Sequence, residues 1–86
     1  MIIRNQDKRG IVNFNQLTDL CVAKNRVGEW EIVACYPYFA DSDCGFSALA
    51  AYSTEAKAIK VLDMICADII LECLIFQMPA DEDVEV

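Results

Sequence analysis

The alternation of apolar and polar residues predicts β-strands over most of the chain before residue 53. It is clearest at residues 29–36, where Trp30, Ile32, Ala34 and Tyr36 share one face and the more polar positions share the other. Similar patterns predict strands over residues 1–6, 11–14, 17–24 and 46–52, with turns at 7–10 and 25–28 and a loop at 38–45. This half of the chain therefore predicts a sheet.

Residues 53–73 predict one long helix that begins amphipathic and becomes apolar on every side. Ser53 is a typical N-cap residue, and only Asp68 and Glu72 interrupt the apolar sequence of residues 64–76. A helix this apolar, in a short chain, has more surface to bury than one small sheet can cover. We therefore expect part of it to contact a second copy or another partner.

The helix positions divide into two predicted faces. The face predicted to cover the sheet consists of Ile59, Leu62, Cys66, Ile69 and Cys73, which recur every three or four residues. The face predicted to contact another copy consists of Val61, Met64, Leu71 and Ile75.

These elements predict a two-layer α+β domain over residues 1–80. Its antiparallel β-sheet has four to five strands and is packed by one long C-terminal helix, and residues 74–78 have the composition of a short last edge strand. Residues 81–86 are an acidic tail that we expect to be solvated and frayed.

The net charge of −7 is unevenly distributed. Residues 1–26 carry five cations and two carboxylates, hence +3, and residues 27–86 carry two cations and twelve carboxylates, hence −10. A strongly acidic protein repels nucleic-acid backbones, so we expect no direct DNA or RNA binding. The apolar helix segment is shorter than the roughly 20 residues that span a bilayer, so we expect no membrane insertion either.

The five cysteines include no C-x-x-C pair, and no secretory signal pattern precedes them. We therefore expect a reducing, cytoplasmic environment in which the cysteines act as small apolar residues. Asp41, Asp43 and Cys44 match no standard metal loop, so we predict neither a metal nor a cofactor.

Catalysis is not expected from this composition. The chain has no histidine, and no base is identifiable that would activate a cysteine nucleophile. A binding site for phosphate plus base is a better match to its basic and aromatic residues, although turn cations are usually solvated and Trp30 also suits a core. The candidate ligand-binding residues are Arg4, Lys8, Arg9, Arg26, Trp30 and Tyr52.

Three segments carry a resemblance to known proteins: residues 1–8, 52–65 and 76–79. They resemble small uncharacterised proteins of Firmicutes, their phages and mobile elements. The Tyr-Ser-Thr-Glu cap and the Ala-x-x-Val-Leu-Asp helix motif are also similar to phage anti-Thoeris sponge proteins. Residues 17–51 carry none of this resemblance, and residues 66–76 are apolar where those families have a polar linker.

The resemblance implies an oligomeric β/α protein that sequesters cyclic ADP-ribose-type signals and thereby counters a bacterial host's defence. It carries over no individual ligand-binding residue. Two alternatives remain at this stage. One is an inhibitor or adaptor, like an anti-CRISPR protein, that binds a protein partner through its acidic surface or apolar helix. The other is a structural subunit of an oligomer, without a ligand.

Overall fold

The computed structural model of the 86-residue chain describes residues 1–17, 19–35 and 46–86. Within them the strands are β1 (Ile2–Arg4), β2 (Ile11–Asn13), β3 (Asp19–Lys24), β4 (Trp30–Cys35), β5 (Phe46–Tyr52) and β6 (Ile75–Gln77), and the helix is α1 (Glu55–Ile70). Short 3-10 turns cover Phe14–Gln16 and Asp81–Asp83. The predicted loop at 38–45 and the acidic group Asp41, Asp43 and Cys44 lie outside the described residues.

The α+β class is confirmed, but the single sheet of four to five strands is wrong. The described strands form two three-stranded sheets, β2-β1-β6 and β3-β4-β5. The second sheet is antiparallel throughout, whereas β6 pairs parallel with β1 in the first. The helix α1 carries the chain from β5 to β6, which lies beside β1, and a parallel neighbour needs such a long connection because a tight hairpin turn cannot form one.

The helix is followed by a strand and ends earlier than predicted. It stops at Ile70 instead of Cys73, because Glu72 adopts a positive φ of 57° just beyond the last helical turn. Its N-cap is Thr54 rather than Ser53, with the Thr54 hydroxyl accepting from the Lys57 amide at 3.2 Å. The predicted last edge strand is confirmed as β6.

The helix buries a face that differs from the predicted one, of which Leu62 is partly buried against the core and Cys66 is exposed. Its buried residues are Ala58, Val61 and Ile65, each at most 2% exposed. Ile59 and Ile69, predicted to cover the sheet, are 45% and 43% exposed. The helix contacts strands β3, β4 and β5, and the small Ala58 side chain permits a close approach to them.

One core joins both sheets and the helix. Ile3 and Phe76 from the first sheet, and Ile32 from the second, belong to the same buried cluster as Ile65 of the helix. The sheets are also linked by Gln6, whose backbone N–H donates to the Leu49 carbonyl at 2.9 Å.

The acidic C-terminal segment is exposed at Glu82, Asp83 and Glu85, as expected, but it also contacts the rest of the fold. Val84 is 5% exposed and lies in the core, which the sequence did not predict. Asp81 accepts hydrogen bonds from the Ser53 amide at 2.7 Å and the Ser53 hydroxyl at 3.1 Å, and it pairs with Lys57 at 3.4 Å. The bond from the Ser53 amide is the main reason that the pKa of Asp81 lies below its usual value, because it favours the charged carboxylate.

Candidate functional site

Three of the predicted ligand-binding cations lie in one hairpin. Arg4 ends β1, and Lys8 and Arg9 lie in the turn between β1 and β2. The Arg4 guanidinium donates to the Lys8 carbonyl at 3.3 Å, and the Asp7 carboxylate accepts from the Arg9 amide at 2.9 Å. All three side chains are exposed, and within the described chain none of them forms an ion pair. We call Arg4, Lys8 and Arg9 the basic hairpin.

Arg26 and Trp30 belong to the other sheet. Arg26 lies in the turn between β3 and β4, which Asn25 organises by accepting from the amides of Val27 and Glu29. Trp30 starts β4 and is half-buried, and the Lys24 ammonium lies 5.6 Å from the centre of its ring. The ring is therefore already in contact with a cation of this chain.

Tyr52 is not available to stack on a base, which contradicts its prediction as a ligand-binding residue. Its side chain is fully buried, and its hydroxyl donates to the Pro79 carbonyl at 2.8 Å. Burial, with a smaller contribution from Asp81, raises the pKa of Tyr52 above its usual value. Its role is to tie the end of β5 to the C-terminal segment.

A cavity of about 180 Å³ lies where the segment after β1 meets β5, and none of the six predicted ligand-binding residues lines it. Its lining includes Asn5 and Gln6 together with two acidic residues, Asp7 and Glu31. Carboxylates at a site oppose a phosphate group by like-charge repulsion. This cavity is therefore a poor candidate for an anionic ligand.

The four predicted interface residues do not share one surface. Val61 is fully buried in the core, so its prediction as a contact between copies is wrong. Met64 is 37% exposed, whereas Leu71 and Ile75 are 72% and 66% exposed. Leu71 and Ile75 belong to a run of exposed aliphatic residues at the end of the helix and the start of β6. We call this surface the apolar end: Ile69, Ile70, Leu71, Leu74 and Ile75.

A second cavity, of about 260 Å³, opens beside the apolar end. Ile69, Glu72, Cys73 and Leu74 line it together with Met1, Phe14 and Asn15 from the N-terminal part of the chain. The apolar end therefore borders a cavity. It consists of the end of α1 and the start of β6, whose relative orientation the sequence pattern did not predict.

The structure also assembles a cluster that the sequence analysis missed. Asp19 and Cys21 on β3 lie beside Cys35 on β4, with the carboxylate oxygen and the two sulfur atoms all within 4.8 Å of one another. The pKa of Cys35 is raised to about 11, mainly by a hydrogen bond with the Asp19 carboxylate. Burial, the charge of Asp19 and the neighbouring Cys21 make smaller contributions to this shift. Only strand register reveals this cluster, because Cys35 follows Cys21 on the next strand and the three residues show no standard metal-binding spacing.

No protein-family model, curated protein or solved structure was found that this chain matches. The resemblances drawn from the sequence therefore stay predictions. Among the described helices none is long and apolar enough to cross a membrane.

Proposed function

We propose that this protein is a non-catalytic subunit that associates with a second copy of itself through the apolar end. The observation that carries the proposal is the exposure of five large aliphatic side chains within residues 69–75, from 43% at Ile69 to 81% at Ile70 and Leu74. Large exposed aliphatic side chains concentrated in a short segment are typical of interaction surfaces.

The strand next to this patch supports a second copy as the occupant. β6 lies at the edge of its sheet and pairs only with β1 among the described strands. The Ile2 amide donates to the Leu74 carbonyl, and the Met78 amide donates to the Arg4 carbonyl. The backbone groups of Leu74 and Met78, which flank β6, thus point toward β1. The backbone groups of Ile75 and Gln77 therefore face outward. Two such edges related by a two-fold axis can pair and extend both sheets.

Charge favours the same contact. Each copy carries a net charge of −7, so most surfaces of two copies repel. Between residues 64 and 78 the only charged side chains are Asp68 and Glu72. Two copies that meet at the apolar end therefore bring few like charges together.

We expect the wild-type protein to sediment as a dimer or larger oligomer at micromolar concentration. Leu71→Lys and Ile75→Lys should each weaken association by about a hundredfold or more, because every dimer then loses two buried aliphatic side chains and gains two charges. Val27→Lys is the matched control, since Val27 is 79% exposed in the turn between β3 and β4, outside the apolar end. Analytical ultracentrifugation of the four proteins over a concentration series measures the effect.

A monomeric wild type at high micromolar concentration would contradict self-association and favour the inhibitor or adaptor hypothesis, in which the apolar end binds another protein. Unchanged association in both Leu71→Lys and Ile75→Lys would place the interface elsewhere. Circular dichroism of each variant establishes that it is folded before its association is compared.

A second candidate function is the sequestration of a cyclic nucleotide signal in the cytoplasm of a bacterial host, as an anti-defence protein of a phage or mobile element. The specific observation in its favour is the basic hairpin, whose three cations have no ion-pair partner within the described residues. A phosphate diester is the kind of group that such cations bind. The hairpin belongs to the same sheet as β6, so a dimer through β6 would contain two of them in one assembly.

A thermal-shift measurement with cyclic ADP-ribose isomers and cyclic di- and trinucleotides tests this second function. A ligand at a hundredfold excess over its dissociation constant adds about 2.7 kcal/mol of stability, which for a domain of this size raises Tm by about ten degrees or more. Arg4→Ala and Arg9→Ala should reduce the shift, and Lys60→Ala, on the exposed side of α1, should not. A panel without any shift would reject nucleotide sequestration and would leave self-association to be judged by sedimentation.

A further inference from the structure

The cluster of Asp19, Cys21 and Cys35 lies on the sheet surface that faces away from the core. Ala34 on β4 is fully buried, so the next residue, Cys35, projects to the opposite face. Asp19 is the direct cross-strand neighbour of Cys35, and Cys21 is two residues along the same strand as Asp19. The pleat therefore puts all three side chains on one face of the sheet.

From this geometry we propose that Asp19, Cys21 and Cys35 form a binding site for a thiophilic divalent cation, with Zn²⁺ as the best match. Two thiolates and one carboxylate are a ligand set that zinc accepts. This site is separate from the apolar end and does not depend on the proposed function.

The distances suit zinc after a small side-chain adjustment. The ligand atoms lie within 4.8 Å of one another. Tetrahedral bonds of about 2.3 Å to sulfur require a sulfur–sulfur separation of roughly 3.8 Å. Cys21 is exposed, so rotation of its side chain can adjust the separation of the two sulfur atoms to this value.

The electrostatics of the cluster also favour a cation. Asp19 is the direct cross-strand neighbour of Cys35, and the ligand atoms of Asp19, Cys21 and Cys35 lie within 4.8 Å of one another. Two thiolates and a carboxylate together carry three negative charges, which a divalent cation bound between them largely neutralises. Within the described residues Asp19 and Cys21 are exposed, which makes the cluster accessible to an ion from solvent.

Three protein ligands leave one position of a tetrahedral ion open. Zinc sites with three protein ligands hold a water molecule or an external ligand in the fourth position. We therefore expect the bound ion to exchange its fourth ligand freely.

Absorption spectroscopy with Co²⁺ in place of Zn²⁺ tests the site directly. The full chain, reduced with a phosphine and stripped of metal by a chelator, should bind one equivalent of Co²⁺. Binding should produce a thiolate-to-cobalt charge-transfer band and the intense visible absorption of a tetrahedral ion. Competition with Zn²⁺ against a chromophoric chelator then gives the affinity.

Cys21→Ser is the decisive variant, because Cys21 is exposed and its replacement leaves the core unchanged. Its zinc affinity should fall on the order of a hundredfold or more, since loss of even an outer-shell partner commonly costs ten- to a hundredfold. Cys66→Ser, at an exposed cysteine on α1 outside the cluster, is the matched control and should bind like the wild type. Asp19→Asn should weaken binding while the charge-transfer band from the two thiolates remains.

Absence of the charge-transfer band in the reduced wild-type protein would overturn the proposal. An equal loss of affinity in Cys21→Ser and Cys66→Ser would also overturn it, because the ion would then bind elsewhere. Circular dichroism of Cys21→Ser before metal addition separates loss of the site from loss of the fold.

Discussion

Replacing Val61 with lysine should unfold the protein, whereas the same replacement at Met64 should leave it folded. Val61 is fully buried between the helix and the second sheet, and Met64 is 37% exposed on the same helix. A buried lysine that has no partner costs about 5 kcal/mol or more, including the packing it disrupts. The whole domain has only about 4–13 kcal/mol of stability, at about 0.05–0.15 kcal/mol per residue.

Urea denaturation followed by far-UV circular dichroism measures both variants. Met64→Lys changes the charge by the same amount as Val61→Lys, so a difference between them reports burial and not charge. A cooperative transition in Val61→Lys at the wild-type midpoint would show that the helix is rotated from the orientation described above. Met64→Lys also tests the sequence prediction of an interface residue, and its association state should change less than that of Leu71→Lys.

Replacing Gln6 with alanine should cost about 2–3 kcal/mol, a large effect for a half-buried polar residue. Its side-chain oxygen accepts from the Ala51 amide at 3.0 Å, and its side-chain nitrogen donates to the carbonyls of Ala51 and Pro79 at 3.1 Å each. Alanine removes three bonds and leaves their backbone partners unpaired at the junction of the two sheets. The melting temperature should fall by about ten degrees or more.

Gln77→Ala is the control for this effect. Gln77 also makes two side-chain bonds, to the carbonyls of Asn5 and Met78, but it is exposed, so water replaces them. We expect its free energy of unfolding to change by about 0.5 kcal/mol or less. Equal destabilisation in Gln6→Ala and Gln77→Ala would show that the bonds of Gln6 to Ala51 and Pro79 contribute no more than an ordinary surface contact.

The helix shows why a sequence predicts an element more easily than its orientation. Between Val61 and Leu71 apolar residues occur on all sides, so the periodicity does not single out one face. The buried face consists of Ala58, Val61 and Ile65, and the strands that the helix meets decide which face this is. The stripe chosen from spacing alone was wrong for that reason.

The candidate sites show the same division. The exposed cations of the basic hairpin were identifiable because turns expose their side chains. Tyr52 was predicted to bind a ligand because an aromatic ring can stack on a base. Its hydroxyl instead donates a hydrogen bond to the carbonyl of Pro79, which is distant in sequence. The cluster of Asp19, Cys21 and Cys35 could not be found without the register of β3 on β4.

The sequence by itself determined the α+β class, the approximate position of each strand in the described residues, the helix and the last edge strand. These depend on local alternation, turn residues and capping, which act over a few neighbouring positions. Only the tertiary structure decided the division into two sheets, the buried helix face, the packing of Val84 and the assembly of the cysteine cluster. Those features depend on contacts between residues that are distant in the chain, and local patterns carry no information about which distant partner a residue meets.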